Sequence, residues 1–348
     1  MNVLFRTDAS GSLGTGHLAR CLVLADAIAR CGGTCHFLVR NRNAVADRLL
    51  NGSPHSVFSL DLPDACNPIE DVQRCIQYVQ GMSSMVDWLV VDHYGLDARW
   101  EGAARKMSPS LLVIDDLADR PHDCDVLVDP GPGRQAVEYA RWLRDGRTHL
   151  LLGPQYAILK PSFAMHHDTA PLWPEVRRAH VFFGGGSAAG WLPACVAMLM
   201  EAEPALEVFA VGLCDEQAML HLRERHGKRL TWSRYEADMV QHYARCSVAI
   251  GSPGTATWER ACIGLPSALM ATAQNQVPIL EQLDQQGLCR YLGPAWQWDA
   301  PLLASRIHAF LQDDASRASM RALGVSAVDG RGVERIVQRL HAWGEVDA

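Results

Sequence analysis

The sequence lacks any run of about 18 apolar residues, so nothing in it is built to span a bilayer. Its opening, MNVLFRTDAS, has no basic start, no long apolar core and no small-residue cleavage site, and reads as a first strand rather than a secretion signal. Surplus positive charge is missing too. The formal net charge is -7 with lysines and arginines scattered, which argues against a nucleic-acid surface. No basic amphipathic helix offers itself to a membrane surface, and no fixed-period repeat or low-complexity segment occurs. The eleven cysteines are dispersed, odd in number and mostly set among apolar neighbours, as in ARCLVL and RACIGL. That pattern predicts buried free thiols rather than a disulfide framework. The expectation is a soluble, cytoplasmic, monomeric protein that works without nucleic acid or membrane.

What is present is an alternation of short apolar runs with amphipathic helical stretches. A chain of 348 residues, 48% hydrophobic and 20% charged, is globular and suits two domains of ordinary size. NVLFR (2–6) reads as a strand, and residues 17–30 carry apolar side chains at helical spacing until Gly32 and Gly33 stop them. Further apolar runs follow at 35–39, 88–92, 111–115, 126–129 and 149–153. After the polar stretch MHHDTAPLWPEVRR (165–178), a second series begins at 179–183, 207–213, 247–251 and 267–271. Continuous rather than alternating apolar strands suit parallel sheets covered on both faces. The predicted class is α/β: two Rossmann-like doubly wound domains, 1–165 and 176–348, facing across a cleft. The terminal helix, VERIVQRLHAW (333–343), is assigned to the second domain. Ligands in such folds sit at the carboxyl ends of the strands.

The stretch GSLGTGHLARC (11–21) places glycines at Gly11, Gly14 and Gly16, a G-x-x-G-x-G order unlike the dinucleotide fingerprint. The second strand ends LVRNRN, without the acidic ribose ligand of a nicotinamide site, and no G-K-[ST] marks a nucleotide-hydrolysing loop. What remains is a glycine loop that lets a ligand approach backbone amides at a helix start. His17 then stands at the loop's mouth, to pack, to cap or to react. The positive helix end disfavours an imidazolium there, and neutral imidazole is a competent general base.

Five other stretches carry candidate chemistry. In VVDHYGLDARWE (90–101) a strand ends at Asp92 and releases His93, Tyr94 and Gly95 at the carboxyl edge, where Tyr94 either covers the strand end or touches substrate. VIDDLADRPHDCDVLVD (113–129) is rich in Asp, His and Cys, but His122, Asp123, Cys124 and Asp125 are consecutive and seldom converge on one metal. FFGGGSAAG (182–190) offers Gly184, Gly185, Gly186 and Ser187 to a pyrophosphate, or simply makes a tight strand-to-helix turn. AIGSPGTATWERACIGLP (249–266) sets Gly254 and Thr255 at a helix start, with Glu259 one turn on, placed for a ribose diol or for solvent. TAQNQVP (272–278) supplies Asn275 and Gln276, neutral amides suited to sugar hydroxyls or acetamido groups.

Taken in order, RTDASGSLGTGHLARC, VVDHYGLD, VIDDLADRPHDCDVLVD, LLGPQYAILKPSF, FFGGGS, GTATWERACIGLP and AQNQ cover nearly the whole chain. This set resembles the UDP-sugar hydrolases of the pseudaminic acid pathway, which remove UDP from UDP-2,4-diacetamido-2,4,6-trideoxy-β-L-altropyranose. That family is itself similar to the two-domain GT-B glycosyltransferases. The resemblance implies that His17 is catalytic and that Tyr94 and Asn275 contact the sugar, with Gly14, Gly16, Asp8 and Gln276 around it. It implies that Gly184, Gly185, Gly186, Ser187, Gly254, Thr255 and Glu259 hold UDP, with no metal and no cofactor. Pro253 departs from the pattern and removes one backbone donor to phosphate.

The leaving group then sets the expected mechanism. UDP departs as a stabilised anion, so the acid half of a glycosidase pair is dispensable. One base activating water on the sugar's opposite face suffices, giving attack at the anomeric carbon, C–O cleavage and inversion. Asp8, close in sequence, is the candidate to orient His17. The rival expectations are a glycosyltransferase of the same fold, a hydrolysing UDP-sugar 2-epimerase and a sugar-nucleotide sensor without turnover.

Overall fold

Apolar runs that read as buried on both faces do pair as parallel strands. A computed structural model describes residues 1–9, 14–63, 66–144, 146–168 and 178–344. The chain divides into two units, one made of Met1–Ile158 and the chain from Arg331 onward, the other of Leu159–Gly330.

In the first unit, β1 (Asn2–Thr7), β2 (Thr34–Val39), β3 (Ser56–Ser59), β4 (Trp88–Asp92), β5 (Ser110–Ile114), β6 (Val126–Asp129) and β7 (His149–Leu152) form a parallel sheet. Its order is β3-β2-β1-β4-β5-β6-β7. Side chains alternate along β1: Val3 and Phe5 enter one core with Leu18, Leu24 and Ile28, while Leu4 enters the opposite core with Leu89, Val91 and Trp100. The chain leaves β1 toward β2 on one side and returns to β4 on the other. That reversal opens a crevice at the carboxyl ends of β1 and β4, where Thr7 lies in register with Asp92.

The second unit repeats the plan with β8 (Arg178–Phe182), β9 (Glu207–Val211), β10 (Leu230–Ser233), β11 (Val248–Gly251), β12 (Ser267–Ala271) and β13 (Arg290–Pro294), in the order β10-β9-β8-β11-β12-β13. Every pairing is parallel. The reversal falls between β8 and β11. There Gly251 passes so close to Phe182 that a Cβ would lie 1.8 Å from the Phe182 carbonyl oxygen, so no other residue fits.

Three strands escaped the sequence pattern: β3, β10 and β13. Each is a margin strand of four or five residues with exposed or half-buried positions, so none makes a continuous apolar run. The terminal helix corrects a second expectation. Gly332–His341 does not join the second unit; its Val333, Ile336, Val337 and Leu340 are buried in the first unit's core beside Leu18 and Ile28. All eleven cysteines are free thiols and eight of them are buried. Among the described residues no helix is long and apolar enough to cross a membrane.

Candidate active site

The first unit's crevice collects side chains from three strand ends. Gly11 lies outside the described residues. Gly14 takes a left-handed φ of +80°, which turns the chain into the helix Gly16–Arg30, where His17 occupies the first turn. β4 ends in Asp92, followed by His93 and Tyr94, and the chain after β5 supplies Asp115 and Asp116.

Asp92 is fully buried, and four donors converge on it. His17 Nδ1 lies 2.6 Å from Oδ1, Arg20 Nε 2.6 Å from Oδ2, Arg20 Nη2 2.6 Å from Oδ1, and Cys21 Sγ 3.5 Å from Oδ2. Burial alone would raise the Asp92 pKa, but the Arg20 guanidinium and His17 hold it well below the usual carboxylate range. An ionised oxygen at 2.6 Å requires a proton on Nδ1, which fixes the His17 tautomer. The 3.2 Å between Arg20 Nη2 and His17 Nδ1 is therefore the spacing of two donors sharing one acceptor. Among the described residues every hydrogen bond to the His17 ring reaches Nδ1, leaving the Nε2 lone pair for a ligand or a water. An imidazole so held has the arrangement a general base with an orienting carboxylate requires.

The network continues through Arg20. Its Nη1 reaches Asp116 Oδ2 at 3.0 Å, and the Tyr94 hydroxyl donates to Asp116 Oδ1 at 2.8 Å. The Tyr94 ring returns to His17 edge-on, with centroids 4.5 Å apart and planes at 87°. His17, Asp92, Arg20, Asp116 and Tyr94 thus form a closed ring of contacts, from which Tyr94 keeps 36% of its surface exposed.

Asp8 is not the carboxylate that orients His17. It belongs to the neighbouring buried cluster, accepting from Arg6 Nη2 at 3.0 Å and from the Arg40 backbone N–H at 2.6 Å, with Arg6 Nη1 ion-paired at 2.8 Å and His93 Nε2 at 3.3 Å. Burial raises its pKa, yet Arg6 beside it holds Asp8 well below the carboxylate range. Arg6 is fully buried and also grips Asp71, which accepts from Trp100 Nε1 at 2.9 Å. Asp8 stands just past the end of β1, where buried Arg6 two residues earlier takes its carboxylate.

The Asp, His and Cys stretch after β5 disperses. His122 Nδ1 pairs with buried Glu101 at 2.8 Å, Asp123 and Asp125 take Arg105 at 3.1 and 3.0 Å, and Cys124 enters the core. Burial works against the His122 charge, but Asp115 and Glu101 around it push its pKa up to about 9. This cluster braces the strand ends that carry Asp116.

In the second unit, Gly184–Gly186 follow β8, and Gly184 takes a φ of +84°. The side chain of Ser187 lies outside the described residues. After β11, Gly254 caps the helix Thr255–Ile263 with a φ of +131°, leaving the amides of its first turn without intrahelical partners. Glu259, one turn further, accepts from the Tyr243 hydroxyl at 3.2 Å, and burial raises its pKa. Asn275 is exposed just beyond β12. Gln276 closes its own turn instead: its Oε1 accepts from the Thr272 and Ala273 backbone N–H groups at 2.7 and 3.2 Å. The acceptor expected to read a sugar is therefore occupied, and only the amide N–H₂ is left.

Sequence reasoning missed Arg20 and Asp116 as site residues and passed over Asp92 as the partner of His17. Arg20 stands three residues after His17 on one helix face, the only local signal among them.

With this geometry in place, comparison with known proteins narrows the class. No family model matches the chain. It is 26% identical over 163 residues to the UDP-2,4-diacetamido-2,4,6-trideoxy-β-L-altropyranose hydrolase of Campylobacter jejuni, across 47% of this chain and 53% of that protein. It is 23% identical over 196 residues to the spore coat polysaccharide biosynthesis protein SpsG of Bacillus subtilis, across 55% of this chain and 58% of that one. The chain spans about half the length of the curated relatives it matches. Solved structures match over nearly the full length. MurG from Acinetobacter baumannii gives a TM-score of 0.69 at 12% identity, covering 98% of this chain and 99% of that one. UDP-GlcNAc 2-epimerase from Neisseria meningitidis gives 0.60 at 8% identity, covering 98% and 100%. The fold is GT-B-like. The Campylobacter relative is of the same family that the sequence motifs resemble.

Proposed function

We propose that this protein hydrolyses a UDP-linked diacetamido sugar, with UDP-2,4-diacetamido-2,4,6-trideoxy-β-L-altropyranose as the leading substrate, releasing UDP and the free sugar. The observation that carries the reading is the buried Asp92 at 2.6 Å from His17 Nδ1, which fixes the tautomer and, among the described residues, leaves Nε2 without a hydrogen-bond partner. His17 Nε2 removes a proton from water as it attacks the anomeric carbon, and the C–O bond to UDP breaks with inversion. Asp92 stabilises the imidazolium that forms without itself taking the proton. Amides at the start of Thr255–Ile263 and in the Gly184–Gly186 loop hold the departing diphosphate, and Glu259 takes the ribose diol. Tyr94 and Asn275 bind the sugar. None of these steps calls on a metal or a cofactor.

Purified protein given this substrate should release UDP without an added acceptor. His17→Asn should lower turnover by about 10²–10⁴-fold, the usual contribution of a positioned base. UDP release that requires an added sugar or lipid hydroxyl would replace this reading with a glycosyltransferase. Binding without any release would replace it with a sensor.

A further inference from the structure

We propose that Asp116 is a specificity-determining positioning residue: by accepting the Tyr94 phenol proton it turns that hydroxyl into an acceptor toward the ligand. The site then selects a sugar substituent that donates a hydrogen bond, an amide N–H above all, over one that only accepts. The substrate class named here rests on the reading of the protein as a UDP-sugar hydrolase.

A phenol has one proton to give, and Tyr94 gives it to Asp116 Oδ1 at 2.8 Å. The arrangement is fixed from the other side. Asp116 Oδ2 is held by Arg20 Nη1 at 3.0 Å, while the remaining nitrogens of the same guanidinium grip Asp92 at 2.6 Å. Arg20 cannot swing away from Asp116 without releasing the carboxylate that orients His17, so Asp116 keeps one face toward Tyr94. The ring is pinned as well, edge-on to His17 at 4.5 Å and with the Arg120 guanidinium 6.0 Å from its centroid. Burial and the Asp116 carboxylate push the Tyr94 phenol well above its ordinary range, so it keeps its proton across neutral pH. Only its oxygen lone pairs are left for a ligand. An N–H or O–H facing them makes a hydrogen bond, whereas an ester oxygen sets lone pair against lone pair.

Two measurements on the full chain test this. The first needs no ligand: ¹³Cζ-tyrosine NMR across alkaline pH, with Tyr94→Phe identifying the resonance. Tyr94 should resist ionisation in the wild type and ionise at clearly lower pH in Asp116→Asn. An identical titration in the two proteins overturns the hydrogen-bond assignment, whatever the substrate is. The second compares the diacetamido UDP-sugar with isosteres that carry an ester oxygen in place of each amide N–H, by kcat/KM and by calorimetric Kd. The wild type should favour the amide at one position by roughly 10–100-fold, mostly in KM and Kd. In Asp116→Asn and Tyr94→Phe that preference should fall to within about threefold. Full discrimination retained by Asp116→Asn overturns the proposal. Should the wild type release no UDP, the hydrolase reading fails by itself, and the Kd ratio together with the NMR titration still decides the role of Asp116.

Discussion

Replacing Asp92 by asparagine removes one charge and turns one acceptor into a donor, at a point where four donors meet. His17 Nδ1 and Arg20 Nη2 share Oδ1, while Arg20 Nε and Cys21 Sγ share Oδ2. Whichever way the amide turns, its N–H₂ opposes one arm of the Arg20 fork. Turned toward His17, it finds relief, because the imidazole can pass its proton to Nε2 and accept at Nδ1. That tautomer has no lone pair left to activate water. The expected loss is about 10³–10⁴-fold in kcat, or about 4–5.5 kcal/mol of transition-state stabilisation, as for an asparagine that misorients a triad histidine. KM should move little, since Asp92 is fully buried behind His17. The stability cost of the mismatched donors, about 1–3 kcal/mol, is smaller than a typical domain's stability, so the variant should fold. Initial-rate UDP release, with circular dichroism melting of both proteins, measures the two effects separately. A folded Asp92→Asn enzyme that keeps more than a tenth of wild-type kcat refutes the assignment of His17 as an Asp92-oriented base.

Four further outcomes follow from the same structure. Glu259→Ala should weaken UDP binding by about 10–100-fold in calorimetry through loss of charged hydrogen bonds to the ribose, and unchanged affinity would remove Glu259 from the nucleotide site. Asp71→Ala removes the two bonds at 3.1 and 2.6 Å from fully buried Arg6, leaving it Asp8 alone among the described carboxylates, and should cost about 3 kcal/mol in urea unfolding. His122 is held protonated in the folded state up to about pH 9, against about 6.5 unfolded; its contribution of roughly 3 kcal/mol is therefore complete below pH 6.5 and lost as pH rises through 9. Urea midpoints at pH 6 and 10 should show that decline in the wild type, and His122→Gln should flatten it. Truncation before Gly332 removes Val333, Ile336, Val337 and Leu340 from the first unit's core, each worth about 1.5–3 kcal/mol, and should leave that unit unfolded or insoluble by circular dichroism and sedimentation.

The central strands were legible because parallel sheets covered on both faces demand unbroken apolar runs, and WLVVD and VLVD are such runs. SVFS, LTWS and RYLGP at the margins carry no such demand and left no such run to read. His17 was legible from the grammar of glycine, turn and helix start. Its partner was not: Asp92 lies 75 residues away, and only the pairing of β1 with β4 makes their ends neighbours. Local reading therefore offered Asp8, whose carboxylate buried Arg6 two residues earlier already holds. The ambiguity at Gln276 has a similar origin, since an amide four residues beyond Thr272 serves its own turn as readily as a sugar. For the terminal helix, amphipathic spacing announced an apolar face but not which core would receive it.

The most direct test is to run the reaction in ¹⁸O-water with the diacetamido altropyranose UDP-sugar and weigh both products. Label in the free sugar is the result the proposed mechanism predicts, in which water activated by His17 attacks the anomeric carbon. Label in UDP would mean attack at phosphorus and would contradict the mechanism.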